Sequence, residues 1–184
     1  MNPRPVCQAT LQLLKITSKK ALINLENLNP RLFTLVHELN LVRRLRYELH
    51  GMRKYLLICR FANKDRFLWK NVDTPHLIES PDLYSLQDLM DTYSGDLPTK
   101  LHALTDTFLK HIKVDCELCK GRGYLCEICT NDEVLFPFDE FAYCCSECGA
   151  LLHKHCFKRK NEECPRCKRR KTRKQNNEES ITSD

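Results

Sequence analysis

Between Cys116 and Cys167, ten residues able to bind zinc fall into five close pairs: Cys116/Cys119, Cys126/Cys129, Cys145/Cys148, His153/Cys156 and Cys164/Cys167. Each pair has the form ligand-x-x-ligand, the separation a tight knuckle needs to aim two side chains at one metal ion. Five such pairs within about fifty residues constrain that segment to fold around metal, since so short a stretch with few large apolar residues cannot build a sufficient core of its own. Four thiolates or imidazoles close a tetrahedral site, which contributes roughly 10–16 kcal/mol to folding. Two or three Zn2+ ions are expected. Gly121 and Gly149, just beyond Cys119 and Cys148, suit the turns that follow a knuckle.

From Cys126 onward the eight ligands run as four cysteines, one histidine and three cysteines, with fifteen, four and seven residues between successive pairs. That order suits an interleaved cross-brace in which Cys126/Cys129 share a metal with His153/Cys156, and Cys145/Cys148 with Cys164/Cys167. Other wirings stay open, because spacing does not set connectivity among equivalent pairs. Cys116/Cys119 is left over. Its candidate partners are Cys7, Cys59, Cys144, His111 and His155, although Cys59 reads as a core residue of an apolar helix. Cys144 reads as a spare thiol and His155 as exposed. The thiolate-rich sets read as closed and structural, whereas a catalytic zinc keeps one position open. No nucleophile–base pairing or phosphate loop accompanies them, so the chain is expected not to be an enzyme. Val134-Leu135-Phe136-Pro137-Phe138 reads as an apolar plug between metal sites, or else as an exposed apolar contact for a partner.

The first hundred or so residues read as helical on their apolar spacing. A short helix is expected over residues 6–16. Asn29-Pro30 reads as the start of a longer one, with Leu32, Leu35, Val36, Leu39, Val42 and Leu45 on its apolar face. Arg43, Arg44, Arg46, Glu48 and His50 fill the opposite side, and Gly51 is expected to mark a break or kink. Residues 64–79 have no clear period. Ser85-Leu-Gln-Asp88 resembles a capping box. Leu101, Leu104, Phe108, Leu109 and Ile112 form a second apolar stripe that runs into the first knuckle. The expected architecture is a mostly α N-terminal part over residues 1–113 and a small, zinc-stabilised, cysteine-rich module with short β-hairpins and knuckles over 114–168. A basic and then disordered tail is expected over 169–184.

No apolar run approaches the length of a membrane span, and the N-terminus does not read as a secretory signal. The twelve cysteines are therefore expected to stay reduced in the cytosol, where thiols bind metal. The net charge of +6 is concentrated after the last knuckle, in Lys168, Arg169, Arg170, Lys171, Arg173 and Lys174. Such a run meets anionic lipid, nucleic acid or an acidic protein patch, or simply stays solvated.

The motifs Cys116-Glu-Leu-Cys119-Lys-Gly-Arg-Gly-Tyr-Leu-Cys126-Glu-Ile-Cys129, Leu135-Phe-Pro-Phe138, His153-Lys-His-Cys156-Phe157 and Cys164-Pro-Arg-Cys167 together resemble the Rubicon homology domain. That family includes Rubicon, Pacer and the pleckstrin-homology family M adaptors. Arg4-Pro5-Val6-Cys7, Leu28-Asn-Pro-Arg-Leu-Phe33, Cys59-Arg60 and Tyr84-Ser-Leu-Gln-Asp-Leu89 extend the likeness, which covers roughly residues 4–174. The resemblance implies a non-enzymatic adaptor of the cytoplasm, recruited to late endosomes and lysosomes by a GTP-loaded Rab small GTPase. It would govern lysosome positioning, endosome maturation or autophagy together with other endolysosomal adaptors. Family members often carry a further cysteine-rich segment upstream, so the chain is expected to be a shortened form whose missing segment partners Cys116/Cys119. Lys168, Arg169, Arg170 and Lys171 are the expected contact with anionic membrane.

A different function class competes. Histidine fifth among eight ligands is also the order of plant-homeodomain fingers, which bind chromatin or nucleic acid. The seven-residue gap before Cys164 is short for that class, and the only tryptophan, Trp69, is far from the final pair. Nucleic acid is therefore the less favoured partner, and a RING-type ubiquitin ligase is disfavoured because its C-x-H-x-x-C-x-x-C core is absent.

Overall fold

In a computed structural model, which describes residues 5–129 and 131–181 (backbone only over 175–181), the chain divides into two units, Met1–Cys116 and Glu117–Asp184. The first is helical. Its elements in order are α1 (Gln8–Thr17), β1 (Ile23–Asn24), α2 (Leu25–Leu28), α3 (Leu32–Leu35), α4 (His37–Leu57), α5 (Arg60–Lys64), α6 (Phe67–Asn71), α7 (His76–Glu79), β2 (Leu83–Tyr84), α8 (Leu86–Ser94) and α9 (Asp96–Lys110). A π-helical turn, His111–Asp115, closes the unit. β1 and β2 pair antiparallel, with Ile23 opposite Tyr84.

Helices α4 and α9 form the centre of this unit because their apolar stripes face each other. Val42, Leu45, Leu49, Met52 and Leu56 are buried on α4, and Leu97, Leu101, Leu104 and Phe108 on α9. Ser85 and Asp88 make the reciprocal capping box that starts α8: the Ser85 hydroxyl accepts from the Asp88 N–H at 3.0 Å, and the Asp88 carboxylate from the Ser85 N–H at 2.8 Å. Gly95 ends α8 in the left-handed region at φ 87°, a conformation glycine adopts without strain.

Three local expectations are corrected. The helix expected to run from Asn29 is interrupted, because Val36 is extended (φ −116°, ψ 105°) and α4 starts afresh at His37. Leu35 is exposed while Phe33 is buried, so an unbroken helix would not have kept one face inward. α4 then passes through Gly51 without a break. Arg46 is fully buried rather than on a polar face. It lies four residues after Val42 and three before Leu49, so helical position places it inward despite its charge.

Burial of Arg46 is compensated by backbone. Its Nε donates to the Leu77 carbonyl at 3.2 Å, and one Nη to the carbonyls of His76, Ser80 and Leu83 at 3.1, 2.9 and 2.8 Å. The guanidinium also lies 4.4 Å from the centre of the Tyr84 ring. The His76 and Ser80 carbonyls also accept from the N–H groups of Ser80 and Leu83, at 3.1 and 3.0 Å, so the guanidinium shares those two acceptors with the backbone while also holding the carbonyls of Leu77 and Leu83. Arg46→Met is expected to destabilise the helical unit by about 2–4 kcal/mol, because it removes the donor to the Leu77 and Leu83 carbonyls, and each buried acceptor left unmet costs about 1–3 kcal/mol. Urea unfolding measures this. A loss under about 1 kcal/mol, the typical size of a single net hydrogen bond, would mean that the contacts do not anchor the unit.

The second unit contains α10 (Glu117–Lys120), the hairpin of β3 (Ala142–Cys144) and β4 (Leu151–His153), α11 (Lys154–Arg159) and α12 (Pro165–Ile181). In the hairpin Tyr143 sits opposite Leu152. Leu135, Phe136 and Phe138 are buried, with the two phenylalanine rings stacked at 5.3 Å, so the Val134–Phe138 stretch is an internal plug. Gly149 turns at φ 70° as a post-knuckle turn requires, but Gly121 does not take a positive φ. The close approach falls at Gly123 instead, where a Cβ would sit 2.0 Å from a Val134 methyl carbon. α12 starts inside the last knuckle and continues to Ile181, so the backbone of the tail expected to be disordered from Gln175 is helical as far as Ile181. Lys, Arg, Gln and Glu are good helix formers, and a solvated helix needs no apolar stripe. Residues 182–184 of that tail lie outside the described residues.

Candidate metal centres

Among the described residues, cysteine and histidine ligand atoms gather in three groups of four. Within each group the ligand atoms all lie within 4.8 Å of one another.

One group is Cys126, Cys129, His153 and Cys156. The hairpin positions it: His153 ends β4 and Cys156 follows one turn into α11. His153 is buried, and its Nδ1 lies 3.3 Å from the Cys129 sulfur and 3.9 Å from that of Cys156. Burial opposes ionisation of Cys126. The N–H groups of His153, Ile128 and Cys129 and the His153 ring outweigh it and lower the thiol to about 6. Burial instead pushes the Cys156 thiol up to about 11, aided by the neighbouring sulfurs of Cys129 and Cys126.

A second group is Cys145, Cys148, Cys164 and Cys167. The Cys145 and Cys167 sulfurs are 3.6 Å apart, and those of Cys148 and Cys164 3.5 Å. The Cys148 N–H donates toward the Cys145 sulfur against the effect of burial and, with that of Glu147, lowers the thiol to about 7. Burial raises the Cys164 and Cys167 thiols. The two groups join first pair to third and second to fourth, which is the interleaved pairing.

The remaining group is built where the helical unit ends. Cys59 is fully buried at the extended residue between α4 and α5. Its sulfur lies 3.6 Å from His111 Nε2 and 3.6 Å from the Cys116 sulfur. Cys119 completes the four as the other half of the Cys116 knuckle. The π turn adds a residue to the end of α9, so that His111 and Cys116, five positions apart, meet. The Phe67 ring lies over His111 at 4.9 Å between centres.

Cys59 and His111 were both candidates for the fifth pair, but the apolar surroundings of Cys59 made it look like core. They are the two ligand-group residues beyond the five pairs. The only sequence signal for them is a cysteine and a histidine near the ends of long helices. Cys7 bonds Thr10 at 3.1 Å and Cys144 lies exposed on β3, and neither enters a group. His155 is exposed beside Cys156, at 3.3 Å from its sulfur, and is likewise outside the fours.

These distances fit a four-coordinate ion. Metal–sulfur bonds of about 2.3 Å and metal–nitrogen bonds of about 2.0–2.1 Å place tetrahedral edges near 3.8 Å for two sulfurs and near 3.6 Å for sulfur and nitrogen. Thiolate and imidazole donors select zinc over calcium or magnesium. Each group offers four donor atoms, the number that fills a tetrahedral structural site.

The family model described as Rubicon Homology Domain matches residues 1–172. "Differentially expressed in FDCP 8 homolog" of Drosophila melanogaster is 39% identical over 167 residues, covering 90% of this chain and 34% of the fly protein. "Run domain Beclin-1-interacting and cysteine-rich domain-containing protein" of Mus musculus is 41% identical over 159 residues, covering 84% of this chain and 16% of its own length. "Protein associated with UVRAG as autophagy enhancer" of Homo sapiens is 38% identical over 160 residues, with 86% and 23% covered. The chain thus spans about a third of the length of the fly relative.

Proposed function

The chain belongs to the Rubicon homology domain family, and on that footing we propose that it is a non-enzymatic adaptor, scaffolded by three zinc ions, that binds a GTP-loaded Rab small GTPase of late endosomes and lysosomes. The observation that carries the scaffold is that each of the three groups offers four donor atoms, which supports a metal with a structural role. The ions would be held by Cys59, His111, Cys116 and Cys119; by Cys126, Cys129, His153 and Cys156; and by Cys145, Cys148, Cys164 and Cys167. The chain would act from the cytoplasmic face in autophagy, endosome maturation or lysosome positioning, alongside other endolysosomal adaptors. The names of the mouse and human relatives, which refer to Beclin-1, UVRAG and autophagy, support that setting. No described helix is long and apolar enough to cross a membrane.

The Rab contact is expected on the helical unit, where Leu35, Tyr47, Ile58 and Phe61 are exposed between Asn29 and Phe61. Apolar and aromatic side chains of this kind supply the anchors of an interface. Effectors read the switch loops that γ-phosphate orders, so the zinc-loaded chain should bind the GTP-loaded Rab at least tenfold more tightly than the GDP-loaded form. Calorimetry with both nucleotide states tests this. Equal affinities, or none, would remove the reading. The basic run Lys168–Lys171 would add an anionic-membrane contact once the Rab has brought the chain there.

A further inference from the structure

The basic run is not a uniform patch. α12 sorts its charges by type. Arg166, Arg169, Arg170 and Arg173 stand at i, i+3, i+4 and i+7, and together they line one shallow cleft. Lys168, Lys171 and Lys174 follow one another at intervals of three on a different face. Two members of the consecutive run are already engaged: Lys168 pairs with Glu163 at 2.9 Å, and Arg169 with Glu127 at 2.6 Å. Glu127 lies inside the Cys126/Cys129 knuckle, so the Arg169 pair braces the arginine face against a metal centre of the same unit. Arg166, Arg170 and Arg173 are exposed and point into the shared cleft.

Arginine and lysine differ in what they select. Lysine is a point charge that responds to total negative charge, whereas the guanidinium fork binds one phosphate through two parallel hydrogen bonds. Three forks round one cleft, with Arg169 held by Glu127 beside them, match several phosphates presented at one point. A nucleic acid spreads its charge instead, one phosphate per roughly 3.4 Å of axis on each strand. A soluble anion would need enclosing walls, and this face is open along a helix.

We propose that the arginine face of α12 is a recognition site for clustered phosphates on a membrane lipid, namely a polyphosphorylated phosphatidylinositol headgroup. This rests on the membrane contact proposed above and changes its residues: Arg166, Arg170 and Arg173 make the contact, and Lys168 does not. It is independent of the Rab contact.

Vesicles without any Rab test it, so failure here and failure of Rab binding are separate results. The zinc-loaded full chain is sedimented with vesicles carrying a polyphosphorylated phosphatidylinositol, or phosphatidylserine at matched total charge, at physiological salt. The first should bind more tightly. Replacing Arg166, Arg170 and Arg173 together by lysine keeps the net charge while removing the forks. It should weaken binding to the phosphoinositide vesicles about tenfold or more and leave the phosphatidylserine signal nearly unchanged. Lys168→Gln should leave both unchanged. Zinc content and circular dichroism confirm that the variants are folded. Equal binding to the two vesicle types, or full binding by the triple lysine variant, overturns the proposal. So does tighter binding to duplex DNA, or to the soluble headgroup, than to the vesicles.

Discussion

Chelation of the metal-loaded chain is expected to release three zinc ions and to unfold the second unit. The reason lies in what that unit has for a core. Its buried cluster consists of Cys126, Leu135, Cys145, Ala150, Leu151, Leu152, Cys156 and Cys164, so half of it is candidate metal ligand. With zinc bound, those sulfurs are satisfied. Without it, thiols 3.5–3.6 Å apart lie among too few apolar side chains to hold the hairpin and the plug together. A structural zinc contributes roughly 10–16 kcal/mol, comparable to the 5–15 kcal/mol that separates a folded domain from its unfolded chain. The helical unit has its own interior, with Val42, Leu45, Leu49, Met52 and Leu56 facing Leu101, Leu104 and Phe108, and should keep most of its helix. Native mass spectrometry counts the ions. Amide spectra recorded before and after chelation should show residues 117–174 collapsing to unfolded shifts while α4 and α9 stay dispersed. A metal-free chain whose hairpin signals remain dispersed would contradict this account.

What was legible in the sequence was local or periodic. The capping box of Ser85 and Asp88 is an i, i+3 relation and reads directly. So do the stripes of α4 and α9, which repeat at the helical period. The interleaved grouping was legible in outline because ligand order suits it. What escaped depended on contacts far apart in the chain. Cys59 meets His111 and Cys116 across 52 and 57 residues, and no pattern within either segment refers to the other. An apolar neighbourhood around a cysteine is equally what a core thiol and a buried metal ligand require, so composition could not separate them. Cys59 and His111 stood among several candidate partners for Cys116/Cys119, beside a segment outside the chain, and only the fold brings those two together with the pair. Arg46 escaped for a related reason. Residue type placed it with solvent, but its position in the α4 period points inward, and the carbonyls that receive it come from residues 76–83. Position in the period was the better guide there.

Replacing Cys59 separates the two readings of that residue. As an ordinary core side chain, Cys59→Val would be a nearly volume-conserving swap, costing under about 1.5 kcal/mol and leaving three zinc ions bound. As a ligand, it removes one of four donors from the group with His111, Cys116 and Cys119. The ion count should then fall from three to two. Loss of a structural metal belongs to the exceptional class of single-site effects, above about 4 kcal/mol. At about 2–4 °C per kcal/mol for a chain of this size, the melting temperature should fall by about 10 °C or more. His111→Ala should do the same from the other side of the cluster, since the π turn that presents it would then bring Cys116 to an incomplete site. Cys7→Ala and Cys144→Ala are the controls: both thiols are exposed and outside the groups, so the count should stay at three and the melting temperature should hardly move. The two measurements must move together. A large fall in stability with all three ions retained would return Cys59 to the core, and a lost ion with unchanged stability would mean that this metal decorates the helical unit without holding its end in place.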